Sequence, residues 1–109
     1  MISADAIRGY VDIMILSILR TAPSYAYELA HTISEISEGE YTIKQTTLYS
    51  AVKRLEASGL VDALQGVSPS GKPRTYYQLT PAGSTALLDK CEEWEATKAV
   101  VDRFVKGLP

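Results

Sequence analysis

The sequence has few of the residues that build disulfides, metal sites and nucleophilic active sites. Cys91 is its single cysteine, which excludes an internal disulfide framework and is typical of a reducing compartment. His31 is its single histidine, and because the two lie on separate predicted helices, neither a Cys–His pair nor a zinc site is evident. Glycine-rich phosphate loops and dinucleotide fingerprints are also absent. We therefore predict no catalytic residues, no metal and no cofactor, and a protein that is not an enzyme.

Long apolar runs are absent as well. No stretch approaches the length of a membrane span, and the N-terminus lacks the charged-then-apolar pattern of a signal peptide, so we expect a cytoplasmic protein without a membrane partner. The chain of 109 residues is 46% apolar, which excludes general disorder and predicts one compact domain. A core of this size is modest, and many such chains gain stability by pairing.

An overall excess of positive charge is absent, because 13 acidic residues outnumber 11 basic ones and the formal net charge is -2. Its distribution is uneven: residues 1–43 hold six acids and two bases, and residues 84–109 hold five acids and four bases. Residues 44–83 hold five bases and two acids, which leaves that third at +3. A local positive region on an acidic protein is the pattern expected of a confined DNA-binding face.

The segment from Thr42 to Leu60 predicts the helix that would read DNA, here called the reading helix. Leu48, then Ala51 or Val52, and then Leu55 recur at helical steps on one face. The opposite face carries hydrogen-bond donors, namely Gln45, Thr46, Thr47, Ser50, Lys53 and Arg54. Gly59 stands where a left-handed C-cap is needed. Thr42 and Gln45 fit a capping box, but the helix could also begin a residue or two later.

Two further helices are predicted before the reading helix. The first runs from Ile2 to Arg20 and is apolar nearly all round, so we expect it to be buried on a second side by another subunit. Pro23 ends it, and Ser24 can cap a second helix that runs to about Ser37. The buried stripe of that second helix is predicted to be Tyr25, Leu29, Ile33 and Ile36.

A basic hairpin and a long terminal helix are predicted after the reading helix. Strands over residues 60–64 and 75–79 flank a loop with Lys72 at its tip and Arg74 at its return. The alternative for this hairpin is a solvated loop with incidental charges. Thr80 and Pro81 then begin a helix that runs to about Lys106. It carries a heptad-like seam: Leu87, Cys91, Trp94, Lys98, Val101, Val105 and Leu108.

These elements together predict a mostly α fold with a small β-hairpin. Residues 1–80 form a winged helix-turn-helix DNA-binding domain, and residues 81–109 form a C-terminal dimerisation helix. The dimer interface would be formed mainly by the last helix, or by the last helix together with the first. The alternative for the last helix is that it folds back on its own domain.

The motifs resemble those of the PadR family of winged-helix transcriptional regulators, in its short members with one C-terminal helix. They are Arg8-Gly9, S-Y-A-Y-E-L from Ser24, T-L-Y-S-A-V-K-R-L-E from Thr47, and G-K-P-R-T-Y-Y-Q-L-T-P-A-G from Gly71. Ala26, Ser50 and Thr75 depart from the residues usual in the family, and the loss of a base at Thr75 would weaken a phosphate contact.

The resemblance implies a homodimer that binds a two-fold symmetric operator, usually as a repressor. It assigns Thr47, Tyr49, Lys53 and Arg54 as reading-helix contacts, and Lys72, Arg74 and Tyr76 as hairpin contacts. Thr47 can donate to a phosphate near the helix start, whereas Tyr49 and Tyr76 could instead be core aromatics.

The resemblance also implies an effector site, because small aromatic or cationic molecules release some family members from DNA. The residues expected at this effector and dimer interface are Val11, Met14, Ile15, Leu87, Cys91, Trp94 and Val101. Trp94 could hold a flat ligand or a cation, or simply pack in the dimer core. The alternative function is a winged-helix protein-interaction adaptor without specific DNA binding, which the acidic total charge and the apolar Ala51 and Val52 would favour.

Overall fold

The structure, a computed structural model, describes residues 2–108 and is mostly helical with one antiparallel hairpin. This confirms the predicted fold class, a winged helix-turn-helix followed by a long terminal helix. The elements in chain order are α1 (Ala4–Ile7), a 3-10 turn (Arg8–Tyr10), α2 (Val11–Leu19), α3 (Ala26–Ile36), α4 (Gln45–Ala57), β1 (Val61–Val67), β2 (Pro73–Leu79) and α5 (Pro81–Val105). Within residues 2–108, no helix combines the length and apolar character needed to cross a bilayer.

The N-terminal region is not the single helix that was predicted from Ile2 to Arg20. The 3-10 turn separates α1 from α2, and Tyr10 at its end has ψ near 0° instead of a helical value. Gly9 explains the interruption, because glycine loses more backbone entropy than other residues when it enters a helix. Only proline is less favourable in a helix interior. The broken helix places Arg8 and Tyr10 on different sides of the segment, as described below.

The start of α3 also differs from the prediction, because Tyr25 and not Ser24 is its N-cap residue. Ser24 is buried and forms an isolated bridge with Tyr77 of β2, in which each backbone N–H donates to the other residue's carbonyl, at 3.0 and 2.7 Å. Its hydroxyl donates to the Glu28 carboxylate at 2.5 Å. The turn before α3 is therefore attached to the hairpin, and its serine cannot cap the helix.

The core lies where α2, α3, α4 and the hairpin meet. Its fully buried side chains are Ile15, Leu16, Leu29, Leu48, Val52 and Val61. Each such side chain contributes about 1.5–3 kcal/mol relative to exposure. Ala51 and Val52 are both buried, so the idea that they flank the reading face as an apolar surface is wrong. Ile36 is 70% exposed and does not join the predicted stripe, because the last turn of α3 extends beyond this core.

The hairpin is longer than predicted, with pairing from Val61↔Leu79 to Val67↔Pro73. Gly66 had been placed in the loop, but it pairs with Arg74, where an added Cβ would lie 2.8 Å from the ring of Tyr76. Glycine thus allows the ring to cross the strand, and the turn itself shrinks to residues 68–72. Gly71 adopts a φ of 87° in that turn.

Helix α5 begins as predicted at the Thr80 cap, whose hydroxyl accepts from the Gly83 N–H at 2.9 Å and donates to the Gly59 carbonyl at 2.7 Å. Gly83 is buried against the Leu60 carbonyl, so the start of α5 is packed directly on the end of the reading helix region. The first half of α5 then packs on α2 of its own chain through Leu87, and the second half extends away with exposed apolar side chains.

Candidate nucleic-acid interface

The reading helix is α4, which presents its polar face to solvent. It begins at Gln45 with Lys44 as N-cap residue, so the later of the two predicted starts is correct and the Thr42 capping box is wrong. No side chain caps this end, and the first amide groups of a helix have no partner within it. All six predicted donors on the polar face are exposed: Gln45, Thr46, Thr47, Ser50, Lys53 and Arg54. Gly59 follows the helix with a φ of 76°, as the predicted left-handed C-cap requires.

Tyr49 and Lys53 lie together on the exposed surface of α4. Tyr49 is 52% exposed, so it is not a core aromatic. The Lys53 ammonium lies 5.7 Å from the centre of the Tyr49 ring and donates to the Glu56 carboxylate at 3.1 Å. That hydrogen bond, together with the charge of Glu56, raises the pKa of Lys53.

Arg54 occupies a different environment from Lys53, because its guanidinium donates to the carboxylate of Asp12 in α2. The Arg54 side chain remains 58% exposed, whereas Asp12 is only 22% exposed. A guanidinium has five N–H groups, so this ion pair leaves others free for a second acceptor. The partners are 42 positions apart in the sequence, which explains why the sequence pattern gave no sign of this contact.

A groove of about 700 Å³ runs along the first three turns of α4 and is lined by both apolar and polar side chains. The N-terminal segment forms its opposite wall. Its lining includes three cations, Arg8, Lys44 and Arg54, and four aliphatic hydroxyl groups, those of Thr42, Thr46, Thr47 and Ser50. Sequence reasoning missed Arg8 and Lys44 as members of this surface. Lys44 is one of the five basic residues counted in residues 44–83, but nothing in the sequence of the predicted first helix indicated that Arg8 lies beside α4.

The predicted hairpin contacts differ in how freely they can move. Lys72 is exposed beside the turn at the tip of the hairpin. The Arg74 guanidinium instead stacks 3.7 Å above the Tyr25 ring and donates to the Tyr76 hydroxyl from Nε and Nη2, at 3.0 and 2.7 Å. The hydrogen bond with Tyr76 raises the pKa of Arg74. Arg74 thus joins the start of β2 to the start of α3, and Lys72 is the freer of the two cations.

The residues predicted at the effector and dimer interface fall into two groups. Val11, Ile15 and Leu87 are buried within the core of the protomer, and Met14 is half-buried beside them. Cys91, Trp94 and Val101 are exposed on α5. The distal half of α5 adds an exposed apolar set, consisting of Val100, Val101, Phe104, Val105 and Leu108.

Trp94 contacts Tyr10 at the end of the 3-10 turn, with ring centres 4.9 Å apart and an interplanar angle of 70°. A cavity of about 220 Å³ lies beside this pair, lined also by Gly9, Ile13 and Lys90. Lys98 lies 5.7 Å from the Trp94 ring and pairs with Glu95 at 3.0 Å, so its charge on the seam is neutralised within its own helix.

Comparisons with known proteins agree with this geometry. A transcriptional regulator from Clostridium thermocellum is 48% identical, with a TM-score of 0.88 over 96% of this chain and 99% of the other. A PadR family transcription regulator from Clostridium difficile is 37% identical, with a TM-score of 0.78 over 88% of this chain and 98% of the other. Bacillus subtilis PadR, solved in complex with operator DNA, shares the fold at 21% identity, with a TM-score of 0.69 over 78% of this chain and 48% of that chain.

The model of the transcriptional regulator PadR-like family matches residues 15–89. The match spans α2 from Ile15, α3, α4, the whole hairpin and the start of α5. It therefore includes the reading helix, the hairpin cations and the junction at Gly83. The chain belongs to the PadR-like family of transcriptional regulators.

Proposed function

We propose that this protein is a homodimeric, sequence-specific DNA-binding repressor that a small aromatic or cationic effector releases from its operator. The observation that carries the proposal is the exposed, uncapped donor face of α4 beside a hairpin with a free lysine. Hydroxyls, an amide and two cations at helical spacing suit phosphate oxygens and base edges in a major groove. Bacillus subtilis PadR, which shares this fold, was solved in complex with operator DNA, and this supports DNA as the partner in the proposal.

In this proposal the two parts of the interface have different roles. Thr47 and the uncapped amides at the start of α4 bind a phosphate, while Tyr49, Lys53 and Arg54 reach base edges or the flanking backbone. Lys72 binds phosphate beside the reading helix. Tyr76 contributes through its hydroxyl, which Arg74 holds in place with two hydrogen bonds.

Residues 81–109 form the dimerisation helix in this proposal. The exposed apolar side chains on the distal half of α5 have no partner to cover them within residues 2–108, and Phe104 is 75% exposed. A second copy of the chain would remove this surface from water. Pairing also matches the way helix-turn-helix proteins read two half-sites of a palindrome.

The effector in this proposal binds beside Trp94. The indole and the Tyr10 ring provide aromatic surfaces, and Glu93 in the lining supplies a carboxylate for a cationic ligand. The adaptor alternative is the weaker one, because the burial of Ala51 and Val52 removes the apolar surface that favoured it.

The experiment is a fluorescence-anisotropy titration against DNA from upstream of the protein's own gene, with unrelated DNA as reference and several salt concentrations. A specific dimer should bind its site at least ~1000-fold more tightly than the reference, and affinity should fall steeply as salt rises. Lys53→Ala should weaken binding, whereas Lys106→Ala, which removes the same charge from the far end of α5, should not. Equal weak binding to both DNAs would favour the adaptor.

A further inference from the structure

The Arg8-Gly9 pair has no role in the function proposed above, yet its position is specific. Arg8 lies in the 3-10 turn, and its side chain is 77% exposed. Its ion-pair partner within residues 2–108 is Asp5, one turn earlier, whose Oδ1 accepts from Arg8 Nη2 at 2.5 Å. Asp5 is itself 86% exposed, so this pair is of the kind that adds little to stability.

The N-terminal segment is held beside α4 at both of its ends. The Ile2 N–H donates to the Glu40 carbonyl, which precedes the reading helix, at 2.8 Å. At the other end, Val11 is buried in the core. Arg8 lies between these two attachments, so the fold fixes where its guanidinium can reach.

The groove between this segment and α4 combines apolar side chains with a set of cations and hydroxyls that could bind a DNA backbone. Arg8 lines it from one wall, Arg54 lines it from the other, and Lys44 lies near the start of α4. None of the described residues lining the groove carries a carboxylate, although Asp5 and Asp12 pair with two of its cations. Cations interspersed with hydroxyls are the groups that bind phosphate and sugar oxygens without reading sequence.

We propose that one sugar–phosphate strand of DNA lies in this groove when α4 occupies the major groove, and that Arg8 binds a phosphate of that strand. The N-terminal segment is then a third DNA-contact element beside the reading helix and the hairpin. Arg8 exchanges its exposed partner Asp5 for a phosphate, to which a guanidinium can donate two parallel hydrogen bonds. The inference rests on the proposed function, because it needs DNA on the α4 face.

The test compares Arg8→Ala with the unsubstituted protein and with Arg20→Ala. Arg20 is an exposed arginine that lines a different groove, with Ser24 and Thr32, so it is a matched control. The affinity of each protein for its operator and for unrelated DNA is measured between about 50 and about 200 mM salt. Arg8→Ala should weaken binding to both DNAs to the same extent. In a dimer it should also make the logarithmic salt dependence shallower by about 0.9 for each arginine lost, or about 2 in all.

Two further variants separate a DNA contact from a structural effect. Arg8→Lys keeps the charge and should retain most of the salt dependence. Asp5→Asn removes the competing carboxylate and should tighten binding to both DNAs. Unchanged affinity and salt dependence in Arg8→Ala, with Lys53→Ala still impaired, would overturn this inference and leave the proposed function standing. A wild-type protein that does not discriminate its operator from unrelated DNA would overturn the proposed function itself.

Discussion

The carboxylate of Asp12 in α2 accepts a hydrogen bond from the guanidinium of Arg54 in α4. This ion pair joins α2, against which α5 packs, to α4, the proposed reading helix. Because Asp12 is largely withdrawn from solvent and Arg54 is not, the acid acts as a fixed point that limits where the arginine can reach. While it is paired with Asp12, the Arg54 guanidinium has one preferred orientation. A side chain needs such a fixed orientation if it is to recognise one base and reject others.

Replacing Asp12 with Asn should therefore change selectivity more than stability. We expect affinity for unrelated DNA to rise, because a negative charge is lost and Arg54 is released to any phosphate. The ratio of operator affinity to unrelated-DNA affinity should fall. The free energy of unfolding should fall by no more than about 1 kcal/mol, since the arginine is more than half exposed. Asp89→Asn, on the exposed surface of α5, is the control for charge alone; an equal change in the ratio there would contradict the explanation.

Replacing Trp94 with Ala should abolish binding of a planar aromatic cation such as 9-aminoacridine while leaving DNA affinity per dimer nearly unchanged. The indole supplies the flat surface, whereas no described DNA-facing residue contacts it. Isothermal titration calorimetry is the right measurement, because loss of the tryptophan also removes its fluorescence. Tyr27→Ala removes an aromatic that is 69% exposed on α3, away from this site, and should keep ligand binding. Unchanged ligand affinity in Trp94→Ala would exclude this pocket.

Replacing Gly83 with Ala should destabilise the fold by about 3 kcal/mol, as overpacking does in a rigid interior. An added Cβ would lie 2.1 Å from the Leu60 carbonyl oxygen and 2.7 Å from Leu79 Cδ1, so the junction would have to open. Gly9→Ala is the matched control, since its Cβ would meet nothing within 4 Å. Urea unfolding measures both. Equal midpoints for the two variants would show that the junction is less tight than described.

The stability of the protein should fall as pH rises above about 10, the ordinary pKa of a tyrosine. Burial raises the pKa of Tyr41 and of Tyr77, so the folded chain keeps both phenol protons after the unfolded chain has lost them. Their contribution to stability is complete below the unfolded pKa and is lost above it.

The measurement is the free energy of unfolding in urea between about pH 8 and about pH 11. Changing both Tyr41 and Tyr77 to Phe should flatten its decline. Tyr27→Phe, at a position that is 69% exposed, should leave the profile as it was. A doubly substituted protein that loses stability as steeply as the unsubstituted one would assign the decline to other groups.

The sequence predicts the elements whose signals are local. Thr80 and Pro81 mark the start of α5, and Gly59 marks the end of the reading helix, because caps and left-handed turns depend on residues within a few positions. Apolar periodicity likewise identifies Leu48 and Leu55 as buried.

Contacts between distant segments could not be predicted in this way. Serine is a common helix N-cap residue, but the backbone of Ser24 instead forms a β-bridge with Tyr77. Arg54 has the spacing of a free surface residue, and only the fold brings Asp12 to it. The Arg8 side chain reaches the groove because α1 and α2 are separate, and a single glycine in an apolar run is a weak signal of that break.

The packing of Gly83 on Leu60 has a geometric consequence for the assembly. One junction joins the end of α4, the start of β1 and the start of α5. Two hydrogen bonds from Thr80 stabilise it: its hydroxyl donates to the Gly59 carbonyl, and its N–H donates to the Leu60 carbonyl at 3.1 Å. These contacts hold the end of the reading helix against the start of α5. In a homodimer joined through α5, the length of α5 and the angle at which the two copies cross would set the distance between the two reading helices. An operator with one more base pair between its half-sites would then bind only if the DNA or α5 bends.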